Sequence, residues 1–124
     1  MKVSTVGIDL AKNVFQAHGV DDHGKVVLRK KLDRAKVLEF FLKLQPCLIG
    51  MEACGSTHYW ARKLAAMGHT VKLMAPQFVK PYVKTNKNDD ADAEAICEAV
   101  NRPNMRFVRK HRLSTVLMRL QNGV

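Results

Sequence analysis

No stretch of this 124-residue chain approaches the roughly 18 consecutive apolar residues of a membrane-spanning helix. Met1-Lys2-Val3 runs straight into a strand-like pattern, without the apolar core and cleavage site of a signal peptide. These absences lead to the expectation of a soluble, cytoplasmic protein with no membrane partner. Cysteine is scarce: Cys47, Cys54 and Cys97 show no CxxC spacing and are odd in number, which argues against a disulfide framework and fits reduced thiols. Repeats and low-complexity segments are missing. Acids are the rarer charge, 11 Asp and Glu against 21 Lys and Arg, a formal net charge of +10. Such an excess favours a polyanionic partner, because each phosphate neutralised by a cation releases condensed counterions; the plainer reading is a basic surface that keeps the chain soluble. With 47 % hydrophobic and 26 % charged residues, disorder is excluded, and the length fits one compact domain.

Val3 to Leu10, Val14 to Val20 and Lys25 to Leu32 are rich in β-branched and aliphatic residues and read as strands. The turn cluster Asp21-Asp22-His23-Gly24 between the last two predicts an antiparallel meander. Asp33 is placed to cap a helix running to about Leu44, and Pro46 stops it. Cys47 to Ala53 is nearly all apolar, as in a strand covered on both faces. Gly55-Ser56-Thr57 opens a second helix through Met67, closed by Gly68, and Thr70 to Ala75 is a fifth strand. A third helix is expected from Asn88 or Asp89 to near Asn101, with an extended stretch at Met105 to Arg109 and a further helix at Arg112 to Asn122. The order β-β-β-α-β-α-β-α predicts an α/β fold with a mixed sheet, parallel crossovers and helices packed on it, the ribonuclease H-like architecture.

Three places put acids where burial makes them costly. Asp9 ends the strand Val6-Gly7-Ile8-Asp9-Leu10, where alternation sets Gly7 and Asp9 on one face and Val6, Ile8 and Leu10 on the other. Glu52 closes an apolar strand, and an unpaired carboxylate there costs several kcal/mol, so a cation, a metal or the dipole of the next helix should compensate it. At ~100° per residue, Asp89 and Asp92 flank the direction of Ile96, Ala99 and Val100, while Asp90, Glu94 and Glu98 project to the polar side. Acids in a first helical turn also complement the dipole, but that does not account for two on the apolar side, where like charges a turn apart repel without a cation. Four carboxylates and no Cys or His cluster make an oxygen-only site suited to Mg2+ or Mn2+, the setting of two-metal phosphodiester chemistry.

Gly7-Ile8-Asp9-Leu10-Ala11-Lys12, Met51-Glu52-Ala53-Cys54-Gly55 and Lys84-Thr85-Asn86-Lys87-Asn88-Asp89-Asp90-Ala91-Asp92-Ala93 resemble the DEDD transposases of bacterial insertion sequences, relatives of the Piv-type DNA invertases. The resemblance runs from Val3 to Asn101, and the third stretch is its most specific part. It implies a RuvC-like catalytic domain over residues 1–102 whose metal-binding, catalytic tetrad is Asp9, Glu52, Asp89 and Asp92. Asp90 stands where the family usually has a non-acidic residue, so Asp89 and Asp90 both remain open; the helical projection favours Asp89. The resemblance further implies DNA ends or junctions as substrate, a structured guide RNA in some members, and a homo-oligomer of the full-length protein. Family members continue into a helical linker and a domain with a serine nucleophile; residues 103–124 are expected to open that linker, and nothing in this chain resembles the later domain.

Lys80, Lys84 and Lys87 are candidate phosphate contacts, with Phe78 or Tyr82 stacking on a base; Lys12, just past the Asp9 strand, is another. Each also reads as an ordinary solvated lysine. His58 has no second ligand beside it, and Met51, Met67 and Met74 read as core filler. Three other functions compete: a self-contained RuvC-like Holliday-junction resolvase; an actin-like ATP-binding domain; and a basic RNA-binding module with structural acids. The second is disfavoured because Ala11-Lys12-Asn13 replaces the small residues that would let backbone amides approach phosphate.

Overall fold

Alternating apolar and polar residues form three leading strands, β1 (Thr5–Asp9), β2 (Val14–Val20) and β3 (Val26–Asp33), in the computed structural model, which describes residues 2–84 and 90–108. The hairpin between β2 and β3 is built by Asp21, whose Oδ1 accepts the backbone N–H of both His23 and Lys25. Gly24 completes it at φ 81°, a conformation that side chains resist. Then follow α1 (Val37–Lys43), β4 (Leu48–Glu52), α2 (Thr57–Ala66), β5 (Thr70–Met74), the short α3 (Pro76–Val79) and α4 (Ala91–Val100).

The strands lie in the order β3-β2-β1-β4-β5. The first three pair antiparallel, whereas β1–β4 and β4–β5 are parallel, as the element order predicts. Because side chains alternate, Val6, Ile8, Phe15, Ala17, Leu32, Ile49, Met51 and Leu73 share one face and bury themselves with Val37 and Phe41 of α1 and Trp60 and Leu64 of α2. Phe15 meets Trp60 edge-on at 5.0 Å. His69 is part of this packing: its Nε2–H donates to Phe41 O at 2.8 Å, and its Nδ1 accepts the Cys47 N–H. The other face belongs to α4. There Met74, Val79, Ala95, Ile96, Ala99 and Val100 form a second apolar cluster, with Met105 and Phe107 packed against it. The Val108 N–H donates to Leu73 O at 2.8 Å.

Several local expectations change. Asp33 makes no side-chain cap; a 3-10 turn at Arg34–Lys36 precedes α1 instead. The stretch after β5, given no element from sequence, starts with α3 and a 3-10 turn at Lys80–Tyr82. α4 begins at Ala91 rather than near Asn88 or Asp89. Asp89, Lys87 and the helix expected at Arg112 to Asn122 lie outside the described residues. Among the described residues no helix is long and apolar enough to cross a membrane.

Candidate active site

The site is set by two glycines that face each other. Gly7 of β1 pairs with Gly50 of β4, and Ile8 with Met51. The next residue on each strand is an acid, so Asp9 and Glu52 end neighbouring parallel strands at the same end of the sheet. Alternation puts both carboxylates on the face of Gly7 and Gly50, beneath α4. A Cβ on Gly7 would stand 2.4 Å from Ala93 O and from Cys97 N; one on Gly50 would stand 2.7 Å from Val100 Cβ. Hydrogen in place of a side chain therefore lets the backbone of α4 rest on β1. That close approach carries the first turn of the helix toward the two strand ends.

The charge of Asp92 reaches both strand-end carboxylates. Burial holds the Asp9 carboxyl above its usual range, and the Asp92 charge adds to the effect. Glu52 is raised first by burial and then by Asp9 and Asp92. Each cause is electrostatic: a low-polarisability surround disfavours the anion, and so does a neighbouring anion. Asp92 itself is exposed, contrary to the expectation that it faces the core. Its azimuth on α4 is the expected one, but it lies in the first turn, at the open end of the helix. Among the described residues no three of His, Cys, Asp or Glu stand close enough to hold a metal ion as they are. The donor chemistry nonetheless fits a divalent cation: three carboxylates, two of them partly buried, repelling one another.

Asp90 departs most from the sequence reading. It is 8 % exposed, not on the polar side, and stands at the N-cap of α4. His18 Nδ1 lies 2.6 Å from Asp90 Oδ2, and Arg29 Nε lies 3.2 Å from the same oxygen. Register explains the meeting, since Gly7 pairs with His18 and His18 with Arg29 across the sheet. Asp90, Ala93 and Cys97 follow i, i+3 and i+7, one stripe along the helix, and that stripe faces β1. Ile96, Ala99 and Val100, the core direction expected from sequence, are buried as well, in the second cluster with Met74 of β5 and Val79, and Val100 stands over Gly50. Small residues carried the sheet contact, and their modest hydrophobicity concealed it. His18 and Arg29 had no visible signal of their own. A glycine two residues before the acid in both β1 and β4 was the available one.

The remaining acids of α4 are less exposed than the polar side expected for them. Glu94 and Glu98 are half-buried, with Lys84 Nζ 3.7 Å from Glu94 and Arg102 2.7 Å from Glu98. Lys84 is thus held against an acid. Lys12 and Lys80 are exposed, the first in the turn after β1 and the second in the 3-10 turn. Met51 and Met74 are fully buried, as core filler should be. The turn after β4 is closed by Thr57, whose hydroxyl donates to Glu52 O and accepts the Cys54 N–H.

The family model for DEDD transposases of the IS110 type, described as a transposase, matches residues 6–122. A probable family 20 transposase of Pseudomonas aeruginosa is 65% identical over 108 residues, covering 87% of this chain and 32% of that protein. The transposase for insertion sequence element IS1328 of Yersinia enterocolitica is 50% identical, covering 86% of this chain and 32% of its own length. For the transposase of insertion sequence element IS1111A of Coxiella burnetii the identity is 45%, over 86% of this chain and 29% of that protein. The chain therefore spans about a third of the length of these curated relatives. Among solved structures, T. thermophilus RuvC in complex with a Holliday junction substrate superposes with a TM-score of 0.58 at 13% identity, covering 87% of this chain and 100% of RuvC. The fold is RuvC-like, and the chain belongs to the DEDD transposase family of the IS110 type.

Proposed function

We propose that this chain is the catalytic unit of a DNA transposase, with Asp9, Glu52, Asp89 and Asp92 as the ligands of Mg2+ or Mn2+. The supporting observation is the pair Asp9 and Glu52 at adjoining strand ends, both raised in pKa by burial and by the Asp92 charge, Glu52 by the Asp9 charge as well. Paired divalent ions on such oxygens activate an attacking oxygen and stabilise a leaving one in phosphodiester chemistry. The protein's own part is positional. Parallel pairing fixes Asp9 beside Glu52, and α4, seated on Gly7 and Gly50, presents Asp92 to them. Asp89 precedes the helix by two residues and is assigned by the family motif.

The catalytic unit comprises residues 1–102, and residues 103–124 open the linker, their Met105 to Val108 laid along the unit. DNA is the substrate; Lys12, Lys80, Lys84 and Lys87 contact its phosphates, Lys84 by exchanging Glu94 for one. A structured guide RNA and a homo-oligomer are the partners of the full-length protein. The test is strand cleavage by a full-length protein carrying this chain. Asp9→Asn, Glu52→Gln and Asp92→Asn should each lower the rate by ~10³-fold or more, the scale of several kcal/mol of lost transition-state stabilisation. Undiminished rates in Asp9→Asn and Asp92→Asn would remove the assignment. Metal-dependent junction cleavage by the 124-residue chain on its own would identify a stand-alone nuclease instead.

A further inference from the structure

We infer that the cleft between edge strand β3 and α1 seats one strand of DNA and leads it to the carboxylate end of the sheet. This rests on the reading that the Asp9–Glu52 end acts on DNA. The cleft measures about 550 Å³ and is lined by Lys30, Lys31, Asp33, Lys36, Phe40 and Lys43 among others. That volume is in the range of ligand pockets and suits a short length of a single strand rather than a duplex.

Charge is the first argument. Four lysines, Lys30, Lys31, Lys36 and Lys43, line the cleft with two acids, Asp33 and Glu39, and the Lys43–Glu39 pair, at 3.4 Å and exposed, is easily exchanged for a phosphate. Lysines on an edge strand also guard against sheet-to-sheet association. That accounts for Lys30 and Lys31 but not for Lys36 and Lys43, which lie beyond the strand and come from the other wall of the cleft. The second argument is shape. Lys30 and Lys31 point to opposite faces of β3, yet both line the cleft, so it wraps around the open edge of the sheet. Half-buried Phe40 lies within it, with the Lys30 ammonium 5.0 Å from its ring centre, an aromatic surface beside cations as single-strand sites use. The third is position. Lys31 pairs with Gln16, and Gln16 with Asp9, so one row on the α4 face joins the cleft to the acid, two strand spacings or ~10 Å apart. A strand lying in the cleft is thereby delivered to the carboxylates, which is why its occupant is DNA.

The experiment is fluorescence anisotropy of the 124-residue chain with a labelled single-stranded DNA, in EDTA, over a range of salt. The double variant Lys36→Glu/Lys43→Glu should bind at least ~10-fold more weakly. The charge-neutral pair Lys36→Gln/Lys43→Gln should lower the slope of log K against log salt by ~1.4, two phosphate contacts at ~0.7 each. The control Arg62→Glu/Lys63→Glu, exposed on α2, makes the same change of charge and should have little effect. Thermal unfolding of every variant checks that the fold is retained. Equal losses in the control and cleft variants, no loss in the cleft variants, no binding by the parent chain, or tighter binding of a matched RNA would each overturn the inference. Metal is excluded, so the outcome is independent of the tetrad. Normal DNA binding by the cleft variants alongside a cleavage-dead Asp9→Asn protein would sink this inference alone; the reverse would sink the tetrad alone.

Discussion

His18 Nδ1 and Asp90 Oδ2 are 2.6 Å apart in residues only 3 % and 8 % exposed, and this contact ties the N-cap of α4 to the middle of the sheet. The Nδ1–H donates to a carboxylate that Arg29 also reaches, so a buried anion is matched by donors from two strands. Removing one side of such an arrangement leaves the other stranded in a poorly polarisable surround.

Asp90→Ala should therefore lower the unfolding free energy by ~3 kcal/mol, within the range for breaking a buried pair. Arg29→Ala, whose side chain is 59% exposed, should cost less than ~1 kcal/mol, because water replaces the lost partner. Chemical denaturation followed by circular dichroism measures both. Equal costs would mean that Asp90 is held from the solvent side and that the His18 contact contributes little.

Gly7 and Gly50 differ in what an added methyl would strike. At Gly7 the obstacles are backbone atoms of Ala93 and Cys97; at Gly50 they are side-chain atoms of Val100. Backbone in a helix does not yield locally, so Gly7→Ala should cost ~3 kcal/mol or prevent folding, the upper range of overpacking. Gly50→Ala should cost less and be partly restored by Val100→Ala, giving a coupling energy of ~1 kcal/mol in a double-mutant cycle. A tolerated Gly7→Ala would show that α4 stands off the sheet.

Much of this architecture is legible in the chain because its strands are short, alternating and punctuated. β2 has the expected bounds, and the turn at Gly68, φ 97°, closes α2 where glycine predicted it. Asp9 and Glu52 are legible for the same reason: a carboxylate ending an apolar run announces an unmet charge. The orientation of α4 is not. A helical projection gives azimuth but neither the first residue of the helix nor which residues rest on which strand. Ile96 outweighs Ala93 and Cys97 in hydrophobicity, yet it is the small pair whose backbone lies over Gly7 of β1, while Ile96 packs with Met74 of β5. Asp90 is buried as a consequence, and its partners His18 and Arg29 come from strands 72 and 61 positions away.

The three thiols should react very unequally. Burial pushes Cys47 up to about 11 and Cys97 up to about 12. At Cys54 burial acts in the same direction but is outweighed by hydrogen bonds from Thr57 and Ser56, which leave the thiol lowered. Because the thiolate is the nucleophile, iodoacetamide near neutral pH should label Cys54 in the folded chain, and Cys47 and Cys97 only in denaturant. Mass spectrometry of peptides from a short exposure decides it. Early labelling of Cys97 would imply that α4 lifts from β1 readily, against the close glycine contact.

The carboxylate end should cost stability and respond to a cation. Asp9 and Glu52 are raised in the folded state, by burial first and then by neighbouring anions. Between the unfolded pKa and the higher folded one, the folded chain binds more protons than the unfolded chain. Stability therefore falls as pH rises through that window and stays lower above it. Asp9→Asn and Glu52→Gln remove the charge and should raise the melting temperature near neutral pH, with the gain shrinking as pH falls through the folded pKa. Mn2+ binding only the folded chain should raise the parent's stability by ~2.7 kcal/mol at a hundred times its dissociation constant. Chelation should reverse that rise, and Asp9→Asn should lose it. Calorimetric melts of the three chains at two pH values, with and without Mn2+, carry the test. Substitutions that lower the neutral-pH melting temperature would show these acids to be structural, their charges already met within the fold.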